Sequence, residues 1–304
     1  MSQLMSKQYM SAATTGPRYI ILMISAFAIW GLSPIYYKWV QVVPAWELMA
    51  HRVLWLVAFL VVFMVAFRSF RFVEIFRTPK LLWGLLASSV LITINWSLYV
   101  WANVNNQVLA TSLGYFINPL VSVFLGVIFL GERLNTKQIF ALFLVVLAVA
   151  NMIWQVGELP WIALTLAITF GLYGLIRKRL EIDSYNGLLF EALVVFPLAI
   201  IYLGFLQQSA ELVFTTRGWA FDLLIILSGI VTLLPLVFFA TSVKHIKLST
   251  VGFIQYLAPT TSFLLAVFMF NEPFSMGRLI SFVMIWTALG LISIDAWRRL
   301  SRGG

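Results

Sequence analysis

Residues 119–132 read PLVSVFLGVIFLGE, and residues 259–272 read PTTSFLLAVFMFNE. At a shift of 140 residues, Pro119, Ser122, Leu125, Val127 and Glu132 fall on Pro259, Ser262, Leu265, Val267 and Glu272. The same shift carries Gly31, Leu32 and Lys38 onto Gly171, Leu172 and Lys178. One register that spans two separate helix pairs marks an internal duplication. The chain is read as two repeats, residues 17–154 and 161–297.

Both quoted stretches are almost wholly apolar, and so is most of the chain. Of its 304 residues, 62% are hydrophobic and 10% charged, whereas a soluble domain carries about a quarter charged residues. A helix needs roughly 20 apolar residues to cross the hydrocarbon core while satisfying its own backbone. Ten stretches meet that need: Tyr19 to Tyr37, Ala45 to Phe67, Leu81 to Trp101, Val108 to Leu130, Ile139 to Trp154, Trp161 to Ile176, Gly187 to Leu206, Trp219 to Ala240, Ser249 to Phe270 and Leu279 to Asp295. The fifth and sixth are short and extend into their flanks. Ala26-Phe27-Ala28 resembles a signal-peptidase site, but the apolar stretch continues past it and the repeat needs this helix, so the span is read as retained.

The expected fold is therefore an all-α integral membrane protein of ten transmembrane helices in two five-helix repeats. Five is odd, so the second repeat is inverted relative to the first. Inverted halves are a recurring transporter architecture, because two similar bundles can rock about a central site.

The net charge of +9 would invite a nucleic-acid reading in a soluble protein. Here its distribution matters more. With the N-terminus inside, sixteen basic residues lie on the cytoplasmic side: Lys7, Arg18, Arg68, Arg71, Arg77, Lys80, Arg133, Lys137, Arg177, Lys178, Arg179, Lys244, Lys247, Arg298, Arg299 and Arg302. Only Lys38, Arg217 and Arg278 lie outside, and Arg52 falls within a span. Positive charge is retained on the cytoplasmic side, which places both termini there and removes any need for a nucleic-acid partner. Trp39, Trp46, Trp101, Trp154, Trp161 and Trp219 then sit near the outer interface, with Trp83 and Trp297 near the inner one.

Few polar residues remain inside the spans. The second span must begin near Trp46 to be long enough, which draws Glu47, His51 and Arg52 into the membrane. An isolated charge at a helix centre costs about 2.5 to 3.5 kcal/mol even on lenient scales. The cluster is read either as an interfacial network that snorkels outward or as a substrate or proton site, with Arg52 held by Glu47 and His51 titrating near neutral pH. Glu191, early in the seventh span, is read as interfacial and, if it is the counterpart of Glu47, as an inner gate. The fourth span shows Thr111, Tyr115, Asn118, Ser122 and Gly126 on one helical face. The repeat puts Val251, Gln255, Ala258, Ser262 and Ala266 on the same face of the ninth, with Tyr256 beside them. Such faces serve close helix packing or a cavity. Pro119 and Pro259 each free a carbonyl and favour a helix break beside that cavity. Asn95, Trp96, Trp101, Trp30 and Tyr173 are candidate walls.

Catalytic readings lack their parts. There is no Cys, only His51 and His245 supply imidazole, and no Gly-x-Ser-x-Gly, His-Glu-x-x-His or Walker A sequence occurs. No enzyme activity, metal or cofactor is expected. The expected partners are a small-molecule substrate, the bilayer and a proton as coupling ion. A channel or sensor without carrier activity is the alternative.

Three segments carry a closer likeness: VPAWELMAHRVLW from Val43, SLGYFINPL from Ser112 with Gly131-Glu132-Arg133, and GFIQYLAPT from Gly252. They resemble the RarD group of the EamA family, in the drug/metabolite transporter superfamily, and the likeness runs from about Pro17 to Trp297. The resemblance implies a bacterial inner-membrane permease with both termini inside. It also implies a central cavity formed by the first, third and fourth helices of each half. The group carries a label of chloramphenicol sensitivity or resistance, which leaves the physiological substrate open. The resulting expectation is a secondary-active exporter of small metabolites or drug-like compounds that works by alternating access.

Overall fold

The computed structural model describes residues 16–67, 70–104, 108–156, 161–269 and 276–300. Lys7, Arg68, Glu272 and Arg302 lie outside the described residues, as do the side chains of Thr111, Ala266, Arg278, Asp295, Trp297, Arg298 and Arg299.

Every regular element among the described residues is helical. In order they are α1 (Pro17–Trp39), α2 (Ala45–Ala66), α3 (Phe72–Arg77), α4 (Pro79–Val104), α5 (Val108–Leu130), α6 (Thr136–Val156), α7 (Trp161–Arg179), α8 (Ser184–Gln208), α9 (Trp219–Ser242), α10 (Leu248–Gln255), α11 (Leu257–Leu264) and α12 (Met276–Leu300). Local chemistry sets several of these ends. Pro17 opens α1, where its missing N–H costs nothing. Asp183 caps α8 by accepting from Asn186 N at 2.9 Å. Asn135 and Gln138 form a reciprocal capping box at the start of α6, at 2.9 and 3.0 Å. Gly131, at φ 63°, turns the chain out of α5 in a conformation that a side chain would strain.

Eight helices among the described residues are long and apolar enough to cross a bilayer. The apolar stretches Gly114–Leu130 and Leu279–Ile292 are shorter. Three expectations need correction. The seventh stretch starts at Ser184 rather than Gly187, where Asp183 supplies the cap. The sixth continues through Arg179, so Arg177 is not a surface charge but fully buried within α7. The break expected at Pro119 does not form, since α5 runs through it without interruption. The ninth stretch is interrupted, in keeping with the expectation for Pro259: α10 ends at Gln255, α11 begins at Leu257, and a π-helical turn covers Leu265–Met269. Pro259 cannot donate to the carbonyl one turn earlier.

The helix contacts come in matched pairs. Helix α1 packs on α9 and α11, as α7 packs on α4 and α5. Helix α2 packs on α9, as α8 packs on α4. Three pairings join corresponding helices directly: α2 with α8, α5 with α10, and α6 with α12. The repeat-aligned glycines occupy matching crossings. A Cβ on Gly31 would lie 2.7 Å from Thr261 Cβ, and one on Gly171 would lie 2.7 Å from Val121 Cγ1. Val121 and Thr261 are themselves 140 residues apart. Each glycine thus lets one half press its first helix against the fourth helix of the other.

Candidate functional site

Arg52 stands on α2, facing α9, α4 and the end of α1. Its Nε donates to Thr232 Oγ1 at 2.9 Å. Its guanidinium lies 5.6 Å from the centre of the Trp96 ring and 5.9 Å from that of Tyr37. Tyr36 and Tyr115 are within electrostatic reach of it. Tyr115 packs its ring against Tyr99 at 5.9 Å and keeps 47% of its surface accessible. Trp96 also walls a cleft of about 410 Å³ between α2, α4 and α8, together with Trp46, Ala50, Thr93, Ser97 and Tyr202. Trp96 further lines a pocket of about 20 Å³, room for about one water, which it shares with Val53, Tyr173 and Glu191.

The ion pair expected between Glu47 and Arg52 is not formed. Glu47 is 0% exposed, and its Oε1 instead accepts from Val213 N at 2.9 Å and Phe214 N at 3.1 Å. These are backbone donors of the α8–α9 connection, a segment that nothing in the helical pattern singles out. His51, 2% exposed, places Nε2 3.8 Å from Glu47 Oε1 and its ring 4.9 Å from that of Phe214. Neither His51 nitrogen nor Glu47 Oε2 makes a hydrogen bond among the described residues. A buried acid beside a buried base, each with spare hydrogen-bonding capacity, can hold or pass a proton.

Glu191 is buried within the protein as well. It is 4% exposed, with Arg177 Nη1 3.5 Å from its Oε1. Ser88 Oγ donates to Oε1 at 2.5 Å, and Tyr173 OH donates to Oε2 at 3.3 Å. The network ties α4, α7 and α8 into one neutral knot. Its partner is also not Glu47. Counted from the helix starts Ala45 and Ser184, a shift of 139 that is one residue short of the register elsewhere, the eighth residue of α2 is Arg52 and that of α8 is Glu191. Glu47 then matches Asn186, and both side chains hold a loop. Asn186 Oδ1 accepts from Arg71 N at 2.7 Å, as Glu47 accepts from Val213 and Phe214.

The end of the bundle rich in basic residues is tied together both across the halves, through Glu132, Arg179 and Tyr19, and within the second half, through Lys178 and Lys244. Glu132 accepts from Leu248 N at 2.6 Å, Ser249 N at 2.8 Å and Ser249 Oγ at 2.6 Å, seating a carboxylate on the start of α10. Lys178 donates to Val243 O at 3.0 Å and to Ile246 O, Lys244 donates to Ile182 O, and Arg179 donates to Phe129 O at 2.6 Å. Burial pushes the Lys244 amine down to about 8, with Arg177 adding to the shift. Tyr19 stacks on His245 at 3.9 Å.

The remaining candidates divide between packing and the centre. Asn95 donates to Leu166 O at 2.8 Å and Thr169 Oγ1 at 3.0 Å, bracing α4 on α7. Ser262 donates to Gly31 O at 3.1 Å, within the glycine crossing. Trp30 is enclosed by Phe27, Phe170 and Phe239, and Trp101 pairs with Trp161 at 6.0 Å. Tyr256 donates to Phe116 O at 3.0 Å, across the α5–α10 contact. Ser122 is buried in α5. Asn118 and Gln255 are buried, each with a side-chain oxygen that has no partner among the described residues. Among the described residues no group of acids and histidines is disposed to hold a metal ion.

A model of the EamA-like transporter family matches residues 17–154 and again residues 160–294. The chain belongs to the EamA-like transporter family, in its RarD group. It is 41% identical over 278 residues to the "Protein RarD" of Escherichia coli K12, covering 91% of this chain and 94% of that one. It is 41% identical over 277 residues to an "Uncharacterized transporter" of Vibrio cholerae, covering 91% and 92%. It is 27% identical to the "Chloramphenicol-sensitive protein RarD" of Pseudomonas aeruginosa, covering 93% and 96%. Among solved structures, one crystal structure superposes with a TM-score of 0.69 at 16% identity, covering 91% of this chain and 98% of that one, a likeness of fold alone. The EamA-type chain is thus a multi-pass membrane protein of a transporter family.

Four participants in this EamA-type site escape the sequence reading: Thr232, Tyr37, Ser88 and Arg177. Ser88 and Ser228 are 140 residues apart, so the repeat register carried a signal for the α4 and α9 faces that includes Ser88. Arg177 had a misleading one, since it begins a basic run that otherwise reaches the surface.

Proposed function

We propose that this protein is a secondary-active exporter of small amphipathic metabolites or drug-like compounds, with ten spans in two inverted five-helix halves and both termini in the cytoplasm. The observation that carries the reading is a cation, Arg52, set among Trp96, Tyr37 and Tyr115 where helices of both halves meet. The matched helix contacts support two halves that rock against each other, and the contacts of Glu132 and Arg179 across the basic end support a state closed toward the cytoplasm. Glu47 and His51 are the coupling pair, loaded and unloaded by a proton as the halves move. The relative named for chloramphenicol sensitivity makes that compound a first candidate to test.

Reconstitution into vesicles tests the reading. A carrier shows saturable, counterflow-stimulated movement of a compound that accumulates in the medium of overexpressing cells. It also leaves Tyr115→Cys open to reagents from one face at a time. Non-saturable ion conductance with simultaneous labelling from both faces would instead establish a channel.

A further inference from the structure

The charge at the centre of this site is uncompensated by the protein. Salt-bridge partners reach Glu47, Glu191 and Arg177, but among the described residues no carboxylate comes within ion-pair distance of Arg52. Its Nε is taken by Thr232, a neutral partner that fixes the side chain's direction without neutralising it. Its two Nη groups have no hydrogen-bond partner among the described residues, and its flanks are the faces of Trp96 and Tyr37. Guanidinium presents a planar fork suited to a carboxylate, and a cation held in a low-dielectric site without an anion is costly. The neighbouring acid does not fill that role. Glu191 lines a small pocket together with Trp96, but Arg177, Ser88 and Tyr173 already engage it. The site therefore carries one spare positive charge.

We infer that the compound carried at this site is an amphipathic organic monoanion whose carboxylate seats on the Nη edge of Arg52. Its apolar body lies against the rings of Trp96 and Tyr37, which flank the guanidinium. The inference rests on the transport reading of the same site and adds the charge and shape of what is carried.

The test uses three probes that share one apolar body: 4-phenylbutyrate, its amide and 4-phenylbutylammonium. With the purified full-length protein, the acid is expected to raise the melting temperature at concentrations at least tenfold below those at which the amide or the ammonium acts. Arg52→Gln should remove that difference, and Arg52→Lys should keep part of it, because a point charge replaces the fork. Thr232→Val, which leaves the charge but frees its direction, should weaken the acid several-fold; it keeps the question answerable if Arg52→Gln does not fold. Equal stabilisation by acid and amide, an acid effect that survives in Arg52→Gln, or no stabilisation by the acid at all would overturn the inference. Vesicle counterflow separates the two readings. If the acid binds through Arg52 but is not carried, the anion site stands and the transport reading falls. If a neutral or cationic compound is carried saturably and Arg52→Gln carries it equally well, transport stands and the anion site falls.

Discussion

Arg52 and Glu191 hold the same rank in corresponding helices, and their surroundings differ completely. Glu191 meets a guanidinium, a hydroxyl and a phenol, so its charge is spent inside the protein. Arg52 meets one threonine hydroxyl and two aromatic faces. A buried charge with a full set of partners acts as a structural rivet. A charge at the matching place without them is held ready for something that comes and goes.

The sharpest way to break this contrast is to remove one partner from the closed knot. Arg177→Met strands Glu191 and should cost about 3 to 5 kcal/mol of stability, read from thermal or denaturant unfolding, whereas the double change Arg177→Met with Glu191→Met should recover most of it. Recovery fails to appear if the knot serves more than its own neutrality. Arg52→Gln should change stability by less than about 1.5 kcal/mol, because relief of the uncompensated charge offsets the lost hydrogen bond, while abolishing saturable transport. A stability loss as large as that of Arg177→Met would place Arg52 among the rivets.

Smaller effects probe the closed end. Glu132→Gln keeps one acceptor but loses the charge that three donors share, so about 1 to 2 kcal/mol of destabilisation is expected. In the same variant a cysteine introduced at Gln255 should react faster with reagents added from the cytoplasmic side; unchanged reactivity would mean that the knitted end does not gate the centre. Tyr115→Phe should leave stability within about 0.5 kcal/mol and alter only the apparent substrate affinity, because its side chain is about half exposed.

Much of this fold was legible because lipid imposes a single local solution, the helix, and because duplication wrote the same register twice. Pro119 and Pro259 matched in sequence, and Gly31 and Gly171 proved to make matching crossings. What the sequence could not show was which side chain spends its hydrogen bonds on whom. Glu47, His51 and Arg52 share one helix turn, so a mutual network looked natural. Yet Glu47 turns to two loop amides more than 160 residues away, which no periodicity encodes. Arg177 misled for the opposite reason. Sequence position put it with the surface charges, while the three residues by which α7 runs past Ile176 carry it inward to Glu191.

The matched contacts of the two halves have a consequence for polarity. Exchanging the halves leaves nearly the same list of helix neighbours, so packing alone gives the membrane little reason to prefer one way up. The preference must come from the lysines and arginines gathered at one end, which stay on the side where synthesis places them. On the transport reading proposed above, the face of the membrane that each half presents is then set at insertion, by charges that never touch the compound.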